Sequence, residues 1–145
     1  MPLPVGTEAP NFTAKDTKGN TVSLSDLKGK TVVLYFYPKD DTPGCTKQAC
    51  SFRDAQPQYQ SKDIVVLGVS ADDQASHQAF TDKYNLNFPL LVDTEKSLIS
   101  SYDVDGGGYA KRVTYVIDGS GKIVNVDETV NTTTHAEDVL KSLGL

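Results

Sequence analysis

The segment that decides the fold begins with Thr31-Val32-Val33-Leu34-Tyr35-Phe36-Tyr37 and, after a loop over 38–41, continues as Thr42-Pro43-Gly44-Cys45-Thr46-Lys47-Gln48-Ala49-Cys50. The first part is apolar and β-branched or aromatic throughout, which is typical of a strand covered on both faces in a parallel sheet. In the second part, Thr42 is a suitable N-cap and Pro43 falls at the first helical position. We therefore expect a helix from Pro43 to about Gln58, with Pro57 limiting its far end.

Both cysteines of the chain lie in this predicted helix. Cys45 falls in its first turn, where unpaired N–H groups and the positive end of the helix dipole favour a thiolate over a neutral thiol. The thiolate is the nucleophilic form, so the position indicates redox chemistry. The competing interpretation is a pair of buried, inert cysteines, a common situation for free cysteine.

The spacing of the two cysteines restricts how they can react with each other. Cys45 and Cys50 are five positions apart, which in a helix gives a rise of roughly 7.5 Å with the side chains about 140° apart. A disulfide needs Cα atoms within about 7 Å and converging Cβ atoms. We therefore expect oxidation of Cys45 to a sulfenic acid, local unfolding of the helix, and attack by Cys50.

The remaining sequence alternates strands and helices, without repeats or a linker, and predicts one domain over 1–145. A hairpin is expected from strands at 11–15 and 21–24, followed by a helical turn at 25–29. Further strands are expected at 64–71, 89–93, 113–118 and 122–126, and a flexible glycine loop at 106–108. Helices are expected at 74–84, 97–102 and 134–143, the last with a capping box of Thr134 and Glu137.

These elements together predict a thioredoxin-like α/β fold, with a central mixed sheet, helices on both faces and an N-terminal β-hairpin. In such sheets the reactive group lies at the carboxyl end of a strand, where the next helix begins. Cys45 occupies that place.

Composition and charge exclude several classes of function. The formal net charge of −5 argues against nucleic-acid binding, which needs a clustered basic surface. No apolar stretch approaches the roughly 20 residues of a membrane span, and no signal peptide is recognisable, so we expect a cytoplasmic protein. A metal site is not expected, because His77 and His135 lie at no ligand spacing from each other or from the cysteines.

A peroxide-reducing thiol needs donors that hold two oxygens and a fixed positive charge. Thr42 is a candidate donor, although a simple N-cap threonine explains it equally well. Arg112, at the start of the strand predicted at 113–118, is the best candidate for the charge. Spacing alone leaves four rivals: Lys39, Lys47, Arg53 and Lys111.

The chain resembles the peroxiredoxins, and among them the bacterioferritin-comigratory or PrxQ branch, over essentially its whole length. Pro38-x-x-x-Thr42-x-x-Cys45 is similar to the peroxiredoxin active-site pattern. Thr42-Pro43-Gly44-Cys45-Thr46, with Cys50 five residues on and then Phe52-Arg53-Asp54, is similar to its PrxQ version. Arg112 in Arg112-Val113-Thr114-Tyr115-Val116-Ile117-Asp118 matches the arginine that this family places over the thiolate, and Gly6-x-x-Ala9-Pro10-x-Phe12 resembles the family's opening.

The resemblance implies a thioredoxin fold and reduction of hydrogen peroxide and organic hydroperoxides without a cofactor, with thioredoxin or a similar dithiol as reductant. It implies that Cys45 is the peroxidatic cysteine and Cys50 the resolving one. Thr42 and Arg112 would bind and polarise the peroxide, and Pro38 would shield the thiolate from water. Because the PrxQ branch is often monomeric, a monomer is expected.

Gln48 departs from the pattern, since many members have Glu there. The plant-like members read Lys-Gln-Ala-Cys, as here, and the segment 75–80 also resembles theirs, which favours a photosynthetic source. No transit peptide is recognisable, so a bacterial cytoplasm and a processed plastid chain both fit.

Two other functions would also use the cysteine pair. One is a thiol–disulfide oxidoreductase, although such proteins usually carry Cys-x-x-Cys. The other is a non-enzymatic redox sensor whose helix unfolding alters a partner surface.

Overall fold

The computed structural model describes residues 2–144, and its central feature is a sheet of five strands. These are β3 (Thr31–Phe36), β4 (Ile64–Ser70), β5 (Leu90–Val92), β6 (Val113–Ile117) and β7 (Ile123–Asp127), in the order β5-β4-β3-β6-β7. β3, β4 and β5 run parallel, whereas β6 is antiparallel to both β3 and β7. A separate hairpin of β1 (Thr13–Lys15) and β2 (Thr21–Ser23) precedes the sheet.

Four α-helices connect and cover these strands: α1 (Pro43–Ser61), α2 (Gln74–Tyr84), α3 (Ser97–Ser101) and α4 (His135–Ser142). A short 3-10 helix, Leu24–Leu27, follows the hairpin. The architecture confirms the predicted mixed α/β sheet with an N-terminal hairpin. Within residues 2–144, no helix is both long enough and apolar enough to cross a membrane.

Strand β3 belongs to two hydrophobic cores at once. Val32, Leu34 and Phe36 pack with residues of the N-terminal segment and α3, whereas Val33 and Tyr35 pack with residues of α1 and α4. Successive side chains of a strand point to opposite faces, so a strand buried on both faces needs an apolar residue at every position. Helices therefore lie on both faces of the sheet, as predicted. Because β3 is the central strand, α1 begins at the middle of the edge formed by its carboxyl end.

The prediction that Pro57 limits the helix is wrong, because α1 continues to Ser61. A proline inside a helix removes the N–H that would bond to the carbonyl four residues earlier. Here that carbonyl belongs to Arg53, and it accepts a hydrogen bond from Asn87 Nδ2 at 3.2 Å instead. A side chain from outside the helix thus replaces the missing bond.

Thr42 and Thr134 occupy the predicted N-cap positions, but neither side chain makes a cap bond. Thr42 occupies the N-cap position of α1 but makes no side-chain cap bond, because its hydroxyl donates to the carbonyl of Lys39 at 2.9 Å. The Thr134 hydroxyl donates to Asp138 Oδ2 at 2.8 Å, so the capping box with Glu137 does not form. Threonine hydroxyls commonly choose between such local partners, and the sequence does not show which one is in reach.

We expect Asn87→Ala to lower the free energy of unfolding by about 0.5–1 kcal/mol, because it leaves the Arg53 carbonyl without its side-chain donor. In a Pro57→Ala background the cost should shrink, since the restored N–H at position 57 reaches that carbonyl. Urea unfolding of the parent protein, the two single variants and the double variant measures this coupling. An equal cost in both backgrounds would contradict the explanation of how α1 tolerates proline.

Candidate active site

Cys45 lies where the sequence predicts it, in the first turn of α1 beyond the carboxyl end of β3. Its residue surface is only 1% exposed, and the following residue, Thr46, donates the first helical bond to the carbonyl of Thr42 at 2.8 Å. Cys50 lies in the same unbroken helix and is half-buried. Both cysteines are free thiols.

Arg112 is the cation that the structure places against the sulfur. Its Nη2 donates to Cys45 Sγ at 3.3 Å and its Nη1 donates to Gln48 Oε1 at 2.7 Å. The guanidinium therefore joins β6 to two successive turns of α1. A charge-assisted bond of this kind is stronger when the acceptor is ionised, so the contact favours the thiolate. The rivals are engaged elsewhere or exposed: Arg53 bonds to Asp54 and the Tyr84 carbonyl, and Lys39, Lys47 and Lys111 are exposed.

Gly44 makes room for this arginine. A Cβ added at Gly44 would lie 3.1 Å from Arg112 Nη2 and 3.7 Å from Arg112 Cζ. Its backbone φ is not in the left-handed region, so the glycine is needed for the close approach rather than for its conformation. The sequence pattern includes Gly44 but does not show that Arg112 approaches it.

Gln48 is fully buried, although it is polar. Its Oε1 orients Arg112, and its Nε2 has no hydrogen-bond partner among the described residues. A neutral amide at this position orients the guanidinium without neutralising its charge, which a carboxylate would do in part. The sequence marks Gln48 as a departure from the family pattern but does not show that it contacts Arg112.

Thr42 and Pro38 lie on the loop between β3 and α1, and both are half-buried. The Thr42 hydroxyl proton points to the Lys39 carbonyl. The roles predicted for these two residues, peroxide binding and shielding of the thiolate, stay predictions.

A second group of polar residues, two of them buried, joins this loop to the segments behind it and was missed by sequence reasoning. Oxygen and nitrogen atoms of Asp40, Asp72 and His77 lie within 4.8 Å of one another. Each of these side chains is engaged in hydrogen bonds, to Tyr37, Ser70, Ser76 or the main chain. The three residues come from separate segments of the chain, so no sequence spacing reveals the group.

The other histidine, His135, lies at the start of α4 and packs on α1. Its ring centroid is 5.4 Å from that of Phe52, and its Nε2 is 2.8 Å from Thr114 Oγ1. Burial lowers the pKa of His135 below its ordinary value, and the Arg112 charge adds to this. The negative charges of Asp127 and Asp138 oppose the shift without cancelling it.

Fold and site together define a thioredoxin-like α/β protein with a buried free cysteine that an arginine contacts at the start of a helix. The chain belongs to the AhpC/TSA family, whose model matches residues 5–126.

Individual relatives narrow this assignment. The chain is 42% identical to peroxiredoxin Bcp of Bacillus subtilis, over 99% of this chain and 96% of the relative. It is 51% identical over 121 residues to chloroplastic peroxiredoxin Q of Triticum aestivum, covering 81% of this chain and 56% of the relative. A structure of the Xanthomonas campestris bacterioferritin comigratory protein, solved for insight into its alkyl peroxide reduction activity, matches with a TM-score of 0.86. Its sequence identity is 30%, over 92% of this chain and 90% of that one. These findings confirm the predicted Bcp/PrxQ resemblance and the thioredoxin-like fold.

We expect Gly44→Ala to slow alkylation of Cys45 by about threefold to tenfold, because the added methyl displaces the guanidinium from the sulfur and weakens a charge-assisted bond. The rate is best measured with iodoacetamide at neutral pH in a Cys50→Ser background, so that one thiol reacts. Alanine is the better helix former, so the thermal midpoint should not fall. A fall in stability with an unchanged alkylation rate would contradict this role of Gly44.

The free energy of unfolding should fall as the pH is lowered from about 6.5, because the unfolded chain then binds a proton that buried His135 resists. Near and above neutral pH this contribution to stability is fully present. We expect His135→Gln to flatten the acidic side of the curve, measured by urea unfolding between about pH 7.5 and 5. Parallel curves for the two proteins would show that His135 does not titrate on unfolding.

Proposed function

We propose that the chain is a thiol-dependent peroxidase that reduces hydrogen peroxide and organic hydroperoxides. The observation that carries this proposal is the 3.3 Å contact of Arg112 Nη2 with Cys45 Sγ in the first turn of α1. A guanidinium in this position stabilises both the thiolate and the negative charge that develops on a peroxide oxygen. The peroxiredoxin names of the relatives, and the alkyl peroxide reduction activity of the X. campestris protein, support the same chemistry.

In the first step, the Cys45 thiolate attacks one oxygen of the peroxide and the O–O bond breaks. The sulfur is oxidised to a sulfenic acid, and the second oxygen leaves with the electron pair and takes up a proton, giving water or an alcohol. The Thr42 hydroxyl turns from the Lys39 carbonyl to a peroxide oxygen, and Pro38 limits the access of water to the sulfur.

In the second step, the Cys50 thiol attacks the sulfenic sulfur, a disulfide forms and water leaves. The first turns of α1 unwind beforehand, because two cysteines five residues apart in an intact helix cannot meet. Unwinding breaks the bonds of Arg112 to Cys45 and Gln48 and the bond from the Ala136 N–H to Ser51 Oγ at 3.0 Å.

The unwinding stops near Phe52 and Arg53. The Phe52 ring, fully buried, is stacked on Tyr35 of β3 with centroids 4.8 Å apart. Arg53 Nη1 donates to the Tyr84 carbonyl at the end of α2 at 2.7 Å. These contacts support a fixed far half of α1, against which a short N-terminal part unfolds.

A dithiol of the thioredoxin type then reduces the disulfide by exchange and restores both thiols. This reductant, a monomeric state and a bacterial cytoplasmic location are predictions. The B. subtilis relative supports a bacterial source, and the wheat relative supports a processed plastid form equally well.

The two cysteines should differ sharply in single-turnover experiments. We expect Cys45→Ser to abolish the fast reaction with hydrogen peroxide, and Cys50→Ser to retain it and accumulate a sulfenic acid. Stopped-flow mixing gives the rates, and mass spectrometry of the wild-type product should show a two-hydrogen loss that links the two cysteines. A parent protein that reacts only as fast as an ordinary thiol would overturn the peroxidase proposal and favour the oxidoreductase or the sensor.

The same oxidised sample tests the unfolding step. Amide exchange over residues 46–52 should be faster in the disulfide form than in the reduced form, whereas exchange over 54–61 should change little. Equal protection over 46–52 in both forms would mean that the disulfide closes without unwinding.

A further inference from the structure

A buried network joins the loop between β3 and α1 to helix α2. Asp40, in the middle of the loop, is 7% exposed. Its Oδ1 accepts a hydrogen bond from the Tyr37 hydroxyl at 2.6 Å, and its Oδ2 accepts one from the Ser76 hydroxyl at 2.8 Å. His77 Nδ1 lies 2.7 Å from the same Oδ2. Ser76 and His77 belong to the first turn of α2, so this helix holds the loop from behind.

His77 is fully buried and lies between two acceptors. Its Nε2 is 2.8 Å from the carbonyl oxygen of Leu91, which has no proton to donate, so Nε2 carries a hydrogen. One further proton lies between Nδ1 and the Asp40 carboxylate. Asp40 and His77 therefore share this proton across a distance of 2.7 Å. Removing either side chain leaves a buried polar group without its partner, which is costly.

The main chain of the loop is held as well. The Asp40 N–H donates to Asp72 Oδ2 at 2.8 Å, and Asp72 Oδ2 also accepts from the Ser70 hydroxyl at 2.7 Å. The Tyr37 N–H donates to the Val69 carbonyl at 3.0 Å. These bonds fix the loop from Tyr37 to Asp40 on strand β4 and on the segment that follows it.

The next residue, Asp41, completes the attachment to α2. Its φ of +57° is in the left-handed region, which a non-glycine residue adopts only when its surroundings hold it there. Lys83 Nζ and the Tyr84 hydroxyl each donate to its carboxylate at 2.9 Å. The hydrogen bond from Lys83 lowers the pKa of Asp41 most, and the bond from Tyr84 lowers it further. Thr42, the predicted peroxide donor, follows directly and has little freedom to move without Asp40 and Asp41.

We propose that His77 is a positioning residue for the reaction of Cys45 with peroxide. Through Asp40 it fixes the backbone that carries Thr42 and leads into the first turn of α1, and so it sets where the two peroxide oxygens are held. This inference rests on the proposed peroxidase function. His77 does not itself touch the reacting atoms, and Arg112 is oriented toward the sulfur by its own bond to Gln48.

Two reagents separate this role from a general effect on stability. In a Cys50→Ser background, the rate at which iodoacetamide alkylates Cys45 depends on the reactivity of the thiolate. The rate of oxidation by hydrogen peroxide depends on that reactivity and also on how the two peroxide oxygens are held. We expect His77→Gln to slow oxidation by about tenfold or more, while alkylation changes by less than about twofold. Both rates are measured at a temperature where the variants are fully folded.

Variants of Asp40 provide the rescue test. Asp40→Asn retains a group that can donate to a neutral His77 and accept from Tyr37. The ratio of oxidation rate to alkylation rate should therefore fall less in Asp40→Asn than in Asp40→Ala. Ser76→Ala removes one donor only and should lower the ratio slightly. Ser76→Ala allows the same comparison of rates if the variants of His77 and Asp40 do not fold.

Asp93→Asn is the matched control. This aspartate is also buried, at 3% exposure, and its carboxylate accepts from the N–H groups of Leu98 and Ile99 at the start of α3 at 3.1 and 2.9 Å. Its replacement should lower stability without changing the ratio of the two rates.

Three outcomes would count against the inference. If His77→Gln leaves the ratio of rates unchanged in a folded protein, His77 contributes to stability alone. If both rates fall equally, the effect acts on the thiolate rather than on the peroxide. If the Cys50→Ser parent itself reacts with peroxide no faster than an ordinary thiol, the peroxidase proposal fails, and this inference fails with it.

Discussion

Two cysteines five positions apart in an intact helix cannot form a disulfide, so the proposed reaction between Cys45 and Cys50 requires α1 to unwind locally. The part of α1 that has to open contains Cys45, Gln48 and Cys50. Cys45, Gln48 and Ala49 are buried there, and the side-chain hydrogen bonds that hold this part are chiefly those made by Arg112 and the one between Ala136 and Ser51. The part that has to stay carries Phe52 and Tyr59, both fully buried among aromatic rings. Most residues of the two hydrophobic cores lie outside the part that opens, which allows that part to unfold locally.

The electrostatics of the site follow from the same arrangement. Arg112 reaches the sulfur because Gly44 has no side chain in its path, and it is oriented by an amide that carries no charge. The guanidinium therefore has one ionisable hydrogen-bond acceptor in this site, the thiol of Cys45. On the other side of the loop, Asp40 and His77 are joined by a hydrogen bond of 2.7 Å, and Asp72 accepts from the Asp40 N–H. These bonds attach the loop to α2 and to the segment that follows β4.

The parts of this protein that follow from local patterns were predictable. The seven apolar residues of 31–37 predict a doubly covered strand, and Thr42-Pro43 predicts the helix start at Pro43, because strand periodicity and the proline preference for the first helical turn act within a few residues. The errors share one cause. Pro57 stays inside α1 because Asn87 supplies the missing donor, and the Thr42 and Thr134 hydroxyls bond to the Lys39 carbonyl and the Asp138 carboxylate rather than to N–H groups of their helices. Each outcome depends on a partner whose position the local pattern does not contain.

By itself, therefore, the sequence determined the order of strands and helices, the place of Cys45 at a helix start beyond a central strand, and the distance that keeps Cys50 from it. These properties depend on backbone geometry over a few consecutive residues. Only the tertiary structure decided which cation meets the sulfur, why residue 44 is glycine, and that a buried histidine on α2 holds the loop before the cysteine. Those contacts join residues as distant in the chain as Gly44 and Arg112. They exist only because the sheet brings the start of β6, the start of α1 and the start of α2 to one edge.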